Sequence, residues 1–308
     1  MNKNKKPDWS GKRWKEMLVE QRKFIWHQDT IDRLAIWLGL KQGMTAVDVG
    51  CGLGYLGYTF WPYFGKGGKY FGIDQSEKLL ADAQTTSKNW ATCGQAKFIA
   101  GDAYRLPFED NFADWVMCQT LLMHLEKPKD ALSEMMRIAK PGGLIVCIEP
   151  DNLSTSLGDS YSSLPKLGIE EELLSKKAYI LCNKGSIKLG RGDQSIGNRV
   201  AVMMKELGLT EIDARINDKV YFLYPPYDDP RQQAFLRMTK KRVLDDSSFW
   251  IKRARQEFLA GGGTANEFKQ YMKICDKQRN AFRKQLKNSE YVCFFGSLFF
   301  VIKGRKPK

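Results

Sequence analysis

The chain has 308 residues, of which 43% are hydrophobic and 27% charged, and its formal net charge is +14. These proportions indicate an ordinary soluble globular protein, long enough for one α/β domain with appendages or for two small domains. Its longest strongly apolar stretch, residues 291–302, is too short to cross a bilayer, so no membrane insertion is expected. No apolar segment follows the basic first residues, so we expect no secretory signal.

The cysteines and the charges narrow the class of protein further. Seven cysteines are odd in number and none has C-x-x-C spacing, which favours reduced thiols and a cytoplasmic location and argues against a zinc or other metal site and against a disulfide framework. Residues 229–308 carry 19 Lys and Arg against 7 Asp and Glu, whereas residues 24–228 are near neutral. A basic end fits an anionic substrate, nucleic acid, a membrane surface or a solvated helix face, and these alternatives stay open.

The elements follow a regular order as far as Pro150. Apolar spacing of three and four residues predicts two amphipathic helices in residues 9–42. Short β-branched runs then alternate with helical segments, which predicts parallel β-α-β units with helices on both faces of a sheet. The predicted strands are 45–49, 69–74, 96–102, 112–120 and 142–150, and the predicted helices are 55–64, 76–90 and 128–140.

After Pro150 the alternation weakens. The patterns predict a helix near 170–181, a helix over 195–209, a strand pair or one long strand over 210–224, basic helices over 229–288 and a closing strand. Thr264-Ala265-Asn266-Glu267 is a capping box, preceded by three glycines that resemble a hinge. We therefore predict a helical lid at 1–39, a Rossmann-like core at 40–224, a basic helical lid inserted at 225–290, and the final strand of the core sheet at 291–308.

The stretch "TAVDVGCGLGYLGYTF" contains two overlapping glycine patterns. Gly50, Gly52 and Gly54 spell G-x-G-x-G, and Gly52, Gly54 and Gly57 spell the dinucleotide fingerprint G-x-G-x-x-G. The second interpretation would place Gly50 and Asp48 inside a strand, which is unfavourable for both residues. The first interpretation leaves a regular strand that ends before Gly50, with the carboxylate of Asp48 near its C-terminal end.

Two later strands end in carboxylates that suit a nucleoside. Asp74 ends the second strand and can accept protons from both ribose hydroxyls, as either cofactor would require. Asp102-Ala103 ends the third strand. There the acid can accept from the adenine amino group and the neighbouring backbone amide can donate to a ring nitrogen. Together with "AKPGGLIVCIEP" before and through the fifth strand, these motifs resemble the class I S-adenosylmethionine (SAM)-dependent methyltransferases. Within them, the chain is most similar to the ubiquinone/menaquinone-biosynthesis branch of small-molecule enzymes, over roughly residues 44–150.

The resemblance implies a seven-stranded, mostly parallel Rossmann-like sheet and a set of cofactor contacts. It implies that the methionine part of SAM contacts Asp48, Gly50, Cys51 and Gly52, with Cys51 contributing only its backbone. It also implies that Asp74 holds the ribose, that Gln75, Asp102 and Ala103 surround adenine, and that Gln119 supplies a backbone contact.

A general base is needed only if the acceptor is a hydroxyl, a phenol or a carbon acid. His124, after the fourth strand, is our candidate for that base because an imidazole can take a proton near neutral pH. The alternative is a loop histidine beside the cofactor, and Glu149 is a rival acid or base. His27 follows an aromatic helix face and is interpreted as a packed structural residue.

The acceptor is predicted to be a small molecule, anionic or aromatic. The element "YPPYDD" imitates the N/D-P-P-Y motif of enzymes that methylate nucleic-acid amino groups, but it lies about a hundred residues too late and is interpreted as a proline turn. An RNA or nucleic-acid methyltransferase that uses the basic ends is the rival enzyme, and a non-catalytic SAM-binding protein is the third alternative. The sequence does not identify the methylated atom or the oligomeric state.

Overall fold

Strands and helices alternate through the first half of the computed structural model, which describes residues 26–308 apart from 91–93, 159, 219 and 245–247, together with residues 11, 15, 16 and 19. The elements up to Pro150 are α1 (Gln28–Leu38), β1 (Thr45–Val49), α2 (Tyr55–Phe64), β2 (Lys69–Asp74), α3 (Glu77–Ser87), β3 (Gln95–Ala100), β4 (Ala113–Gln119), a 3₁₀ helix (Leu122–His124), α4 (Pro128–Ile138) and β5 (Ala139–Pro150). The first of the two helices predicted in residues 9–42 lies almost wholly outside the described residues.

The second half is richer in helix. Its elements are α5 (Asn152–Leu157), β6 (Tyr161–Ser162), α6 (Ile169–Lys188), α7 (Gly197–Glu206), β7 (Thr210–Ile216), β8 (Val220–Leu223), α8 (Pro230–Val243), α9 (Ser248–Ala260), α10 (Ala265–Lys287), β9 (Cys293–Gly296) and β10 (Phe299–Arg305). The predicted capping box is confirmed, because the Thr264 hydroxyl accepts from the Glu267 N–H and the Glu267 carboxylate accepts from the Thr264 N–H.

The predicted seven-stranded sheet is confirmed, with the strand order β3-β2-β1-β4-β5-β10-β7. Strands β1 to β5 pair in parallel, and β10 runs antiparallel to both of its neighbours. The strand order reverses at β1, between β2 and β4. In open α/β sheets the ligand crevice lies at such a reversal, outside the carboxyl ends of the strands.

Two apolar layers cover the two faces of this sheet. Val47 and Val116 face a cluster with α4 and α7, whereas Ala46 and Trp115 face a cluster with α1 and α2. Successive strand residues therefore enter opposite cores, which explains why β1 and β4 are apolar without alternation. Helices on both faces leave only the strand ends open to a ligand.

A second, three-stranded antiparallel sheet has the order β6-β9-β8 and was not predicted. Residues 210–224 form two strands in two different sheets because Asn217 turns the chain. Its N–H donates to the Phe299 carbonyl and its Oδ1 accepts from the Phe299 N–H. Residues 291–308, predicted as one strand of the core, likewise form β9 in the small sheet and β10 in the large one.

The inserted helices pack on a helix that precedes them in sequence. α6 packs along α9, where Gly185 lies so close to the Glu257 carbonyl that an added Cβ would be 1.7 Å from its oxygen. Ala178 of α6 joins Phe258 and Phe268 of the insertion in one buried cluster. The helical layer therefore draws on residues 169–188 as well as on the predicted insertion, whose limits stay a prediction.

The aromatic cluster between the sheet and α2 gives a direct test of this packing. Phe64 is fully buried and makes edge-to-face contact with Trp115 at 5.6 Å between ring centroids. We expect Phe64→Ala to lower the free energy of unfolding by about 3–5 kcal/mol, because it removes buried area and leaves a cavity. Ile36→Ala, at a side chain that is 80% exposed, is the matched control and should change it by less than about 0.5 kcal/mol. Equal urea midpoints for the two variants would contradict this account.

Candidate active site

The glycine loop leaves β1 at its carboxyl end and is fixed to β2. The N–H groups of Gly50 and Cys51 both donate to the Ile73 carbonyl, at 2.7 and 2.9 Å. Gly50 has φ +72° and lies against Leu121, whose Cδ1 would be 2.8 Å from an added Cβ. Only glycine combines this conformation with so close a contact. β1 ends at Val49, so the pattern that begins at Gly50 is the one the fold uses.

Asp74 lies directly beside this loop. Its Oδ2 accepts from the Gly52 N–H and its Oδ1 accepts from the Ser76 N–H, both at 2.9 Å. Each carboxylate oxygen has two lone pairs, so one on each remains for another donor. The side chain is half-buried and lines a cavity, where two ribose hydroxyls can meet it.

Asp48 has a different position from the one expected. Its side chain is 1% exposed, and its Oδ2 accepts from the Tyr70 hydroxyl at 2.8 Å. Burial, and then the nearby Asp48 carboxylate, raise the pKa of Tyr70 far above its usual range, so the phenol stays a donor. Asp48 is absent from the cavity lining, and its carboxylate is directed to Tyr70 of β2 instead.

Cys51 lines the cavity but is 92% buried. Burial raises the pKa of its thiol well above the ordinary value, and the Asp48 and Asp74 carboxylates raise it further. Since the thiolate is the reactive form, this thiol is chemically inert near neutral pH. The expectation that Cys51 contributes its backbone alone agrees with this environment.

The ends of β2 and β3 form the opposite wall. Gln75 and Ala103 line the cavity, Gln75 with an exposed side chain and Ala103 almost buried. Asp102, between the lining residues Gly101 and Ala103, is exposed and does not itself line the cavity, and its Oδ1 accepts from the Tyr104 N–H at 3.1 Å. The three residues expected around adenine therefore lie together, with Asp102 outermost.

The segment after β4 closes the cavity on the acceptor side. Gln119, Thr120, Leu121 and His124 all line it. Gln119 is 95% buried, and its carbonyl already accepts from the Thr120 hydroxyl at 2.7 Å. His124 ends the 3₁₀ helix and is half-buried at the cavity wall, so the candidate base lies where an acceptor could reach it.

Glu149 and His27 differ from their sequence-based interpretations. Glu149 is fully buried and accepts from the backbone N–H groups of residues 121 to 123, so it is not available to exchange protons with an acceptor. His27 is exposed at the N-terminus of α1, and its carbonyl accepts from the first turn of that helix. The packed residue is its neighbour Trp26, which is 94% buried. Residues 224–227 form the expected proline turn, between β8 and α8.

The cavity has a volume of about 630 Å³, within the range of roughly 300–1,000 Å³ typical of small-molecule sites. Sequence reasoning missed an apolar part of its wall, formed by Val19, Leu53, Tyr55, Tyr58, Leu79 and Trp90. Tyr58 and Trp90 are in contact, at 5.9 Å between ring centroids. No motif marks these residues. The one sequence signal is the aromatic content of the predicted helices 55–64 and 76–90, which contain Tyr55, Tyr58 and Trp90. A carboxylate at the end of β2 and an apolar wall thus line one cavity of small-molecule size.

No helix among the described residues is long and apolar enough to cross a membrane. The same residues contain no group of three His, Cys, Asp or Glu side chains arranged to hold a metal ion.

Comparisons with known proteins agree with this geometry. A family model described as a methyltransferase domain matches residues 47–147. Demethylmenaquinone methyltransferase of Staphylococcus aureus MRSA252 is 38% identical over 112 residues, which are 36% of this chain and 45% of that protein. Its counterpart from Oceanobacillus iheyensis is 34% identical over 129 residues, which are 42% and 52% of the two chains. The chain thus spans about half the length of the curated relatives it matches.

The fold is also found in solved structures. A Haloferax volcanii chain solved with the Trm112 methyltransferase activator superposes with a TM-score of 0.51 at 16% identity, covering 99% of this chain and all of that one. At this identity the likeness concerns the fold alone. The chain therefore contains a class I SAM-dependent methyltransferase domain, which is similar over part of its length to the demethylmenaquinone methyltransferases.

Proposed function

We propose that the protein is an enzyme that transfers the methyl group of SAM to a small, largely apolar acceptor. The observation that carries the proposal is the shared cavity, which is lined both by Asp74 and the Gly50–Gly52 loop and by aromatic side chains. The bound cofactor would supply an electrophilic methyl group on a sulfonium. Alignment and desolvation of the acceptor then account for much of the acceleration.

The proposed cofactor contacts follow from the cavity wall. Asp74 accepts from the ribose hydroxyls, Gln75 and Ala103 enclose the adenine, and the loop from Gly50 to Gly52 receives the methionine part. Asp102 reads the adenine amino group from the rim. Asp48 acts through the loop, which it supports by holding Tyr70 at 2.8 Å.

The acceptor class is inferred from the walls and from the relatives. Tyr55, Tyr58 and Trp90 present aromatic surface to the cavity, which favours a flat or apolar molecule over a highly charged one. Two relatives are named for demethylmenaquinone, so its reduced form is the first acceptor to assay. The family model ends at residue 147, before the α5–α10 region, so the match itself carries no information about that region.

We further propose that the basic ends cover the acceptor rather than bind nucleic acid. Lys15 contacts Asp82 of α3, Glu16 contacts Lys241 of α8 at 2.5 Å, and Val19 lines the cavity. The described part of residues 1–39 therefore bridges the core and the insertion above the site. Exposed ion pairs are individually weak, so this cover can open. The described cysteines are free thiols, which supports a reducing, cytoplasmic location.

Asp74→Asn should weaken SAM binding by about 10-fold or more, because the ribose hydroxyls lose a charged acceptor worth roughly 1.5–3 kcal/mol. The matched control is Asp114→Asn. Asp114 accepts from the Thr45 N–H at 2.8 Å, at the opposite end of β1, and should leave the affinity unchanged. Titration calorimetry with SAM measures both. Wild-type affinity in the Asp74 variant would remove the ribose assignment.

His124→Ala should lower kcat by about 100-fold for a hydroxyl or carbon acceptor and change the Kd for SAM by less than about 3-fold. The reason is that a base acts on the acceptor, not on the cofactor. Methyl transfer from labelled SAM to reduced demethylmenaquinone gives kcat, and calorimetry gives Kd. Equal losses in the two quantities would make His124 a structural residue of the wall.

A nucleic-acid binding assay distinguishes the proposed lid over a small acceptor from the rival proposal, a nucleic-acid methyltransferase. A platform for RNA would bind it with an affinity that falls by orders of magnitude between about 50 and 200 mM salt. We expect little retention of bulk RNA or DNA in filter binding at any salt within that range, and no label transfer to RNA. Tight, salt-sensitive retention accompanied by RNA methylation would replace the small-molecule proposal with the nucleic-acid one.

A further inference from the structure

The carboxylate of Glu149 lies at the end of β5, with none of its surface exposed, directly behind the cavity wall. Three consecutive backbone N–H groups donate to it. Those of Leu121 and Leu122 reach Oε1 at 2.9 and 2.8 Å, and that of Met123 reaches Oε2 at 3.3 Å. An anion that accepts from the first amides of a helical turn fixes that turn strongly, because each bond is charge-assisted.

The turn held in this way carries the cavity wall. Leu121 and His124 both line the cavity. Leu121 also meets the cofactor loop, since its Cδ1 would be 2.8 Å from a Cβ at Gly50. A displacement of the turn would therefore move the candidate base and the side chain that touches the glycine loop at the same time.

The backbone before the turn needs this support. Thr120 has φ +51°, a left-handed conformation that is unfavourable for a β-branched residue. Its N–H donates to the Ile148 carbonyl at 2.9 Å, next to Glu149 on β5. Such a strained conformation persists where several surrounding contacts fix it. Here the amides of residues 120–123 all donate to Ile148 or Glu149 of β5.

We propose that Glu149 is a positioning residue that sets the place of His124 and Leu121 relative to the cofactor loop, without touching cofactor or acceptor. This inference rests on the proposed function. It replaces the acid or base role for which the sequence made this carboxylate a rival of His124. It also explains why a carboxylate lies fully buried behind the cavity wall, since a side chain with a single acceptor oxygen would leave one of the three amide donors unpaired.

The test compares Glu149→Gln with Asp151→Asn. Asp151 is also almost fully buried and accepts from the Ser154 N–H at 3.1 Å, at the start of α5, so its variant loses a similar carboxylate that does not contact the cavity wall. A glutamine presents one neutral acceptor oxygen and one NH₂ group, so the amides of residues 121–123 lose a charged acceptor and at least one of them is left without a partner. We expect the exchange protection of these amides to fall at least 10-fold in Glu149→Gln and to stay at the wild-type level in Asp151→Asn.

Kinetics give the second readout. With reduced demethylmenaquinone, Glu149→Gln should lower kcat at least 10-fold and raise the KM for SAM less, while Asp151→Asn changes neither by more than about 3-fold. If Glu149→Gln does not fold, Glu149→Asp takes its place in both measurements. It keeps the carboxylate but shortens the side chain by one methylene, and it should show both effects in weaker form. Wild-type protection at residues 121–123 in the Glu149 variants would overturn the inference. If the wild-type enzyme does not methylate any small acceptor, the proposed function fails, and the exchange data still decide what Glu149 holds.

Discussion

One carbonyl group organises the site. The Ile73 oxygen, at the end of β2, accepts from the N–H groups of both Gly50 and Cys51 and so fixes the loop that leaves β1. The loop can bend this sharply only because Gly50 adopts a left-handed conformation, and the space that its missing side chain leaves is filled by Leu121. Asp74, one residue beyond Ile73, then holds the Gly52 amide. The glycine loop, the Asp74 carboxylate and the cavity wall after β4 therefore depend on the same junction between β1 and β2.

Sequence reasoning was most accurate where local signals agree. The predicted bounds of α2 and β2 match those of the structure, because Gly54 and Gly65 flank α2, Gly68 precedes β2, and the apolar period changes between them. The loops after β1, β2 and β3 were also located correctly, since parallel strands with helices on both faces leave only their carboxyl ends open. The small sheet was missed because its strands come from residues 161–162, 220–223 and 293–296, and pairing over such distances leaves no local pattern.

The carboxylates show what spacing alone does not determine. Asp48, Asp74 and Glu149 all lie at strand ends, and all were assigned to ligand or proton chemistry. The structure separates them by the direction of the side chain. Asp74 lines the cavity, whereas Asp48 meets the Tyr70 hydroxyl and Glu149 meets backbone amides. Neither Tyr70 nor the amides of residues 121–123 are near their carboxylates in sequence. The sequence alone therefore does not show that these donors need a buried acceptor.

The position of β10 has a consequence for how the chain folds during synthesis. β10 fills the gap between β5 and β7, but it is translated only after the whole helical insertion. Until residues 299–305 emerge from the ribosome, β5 and β7 each have an unpaired strand edge. Such an edge can pair with a strand of another chain. The large sheet thus becomes complete only after the insertion has been made. The order of synthesis leaves the nascent chain exposed to aggregation until β10 has been translated and paired.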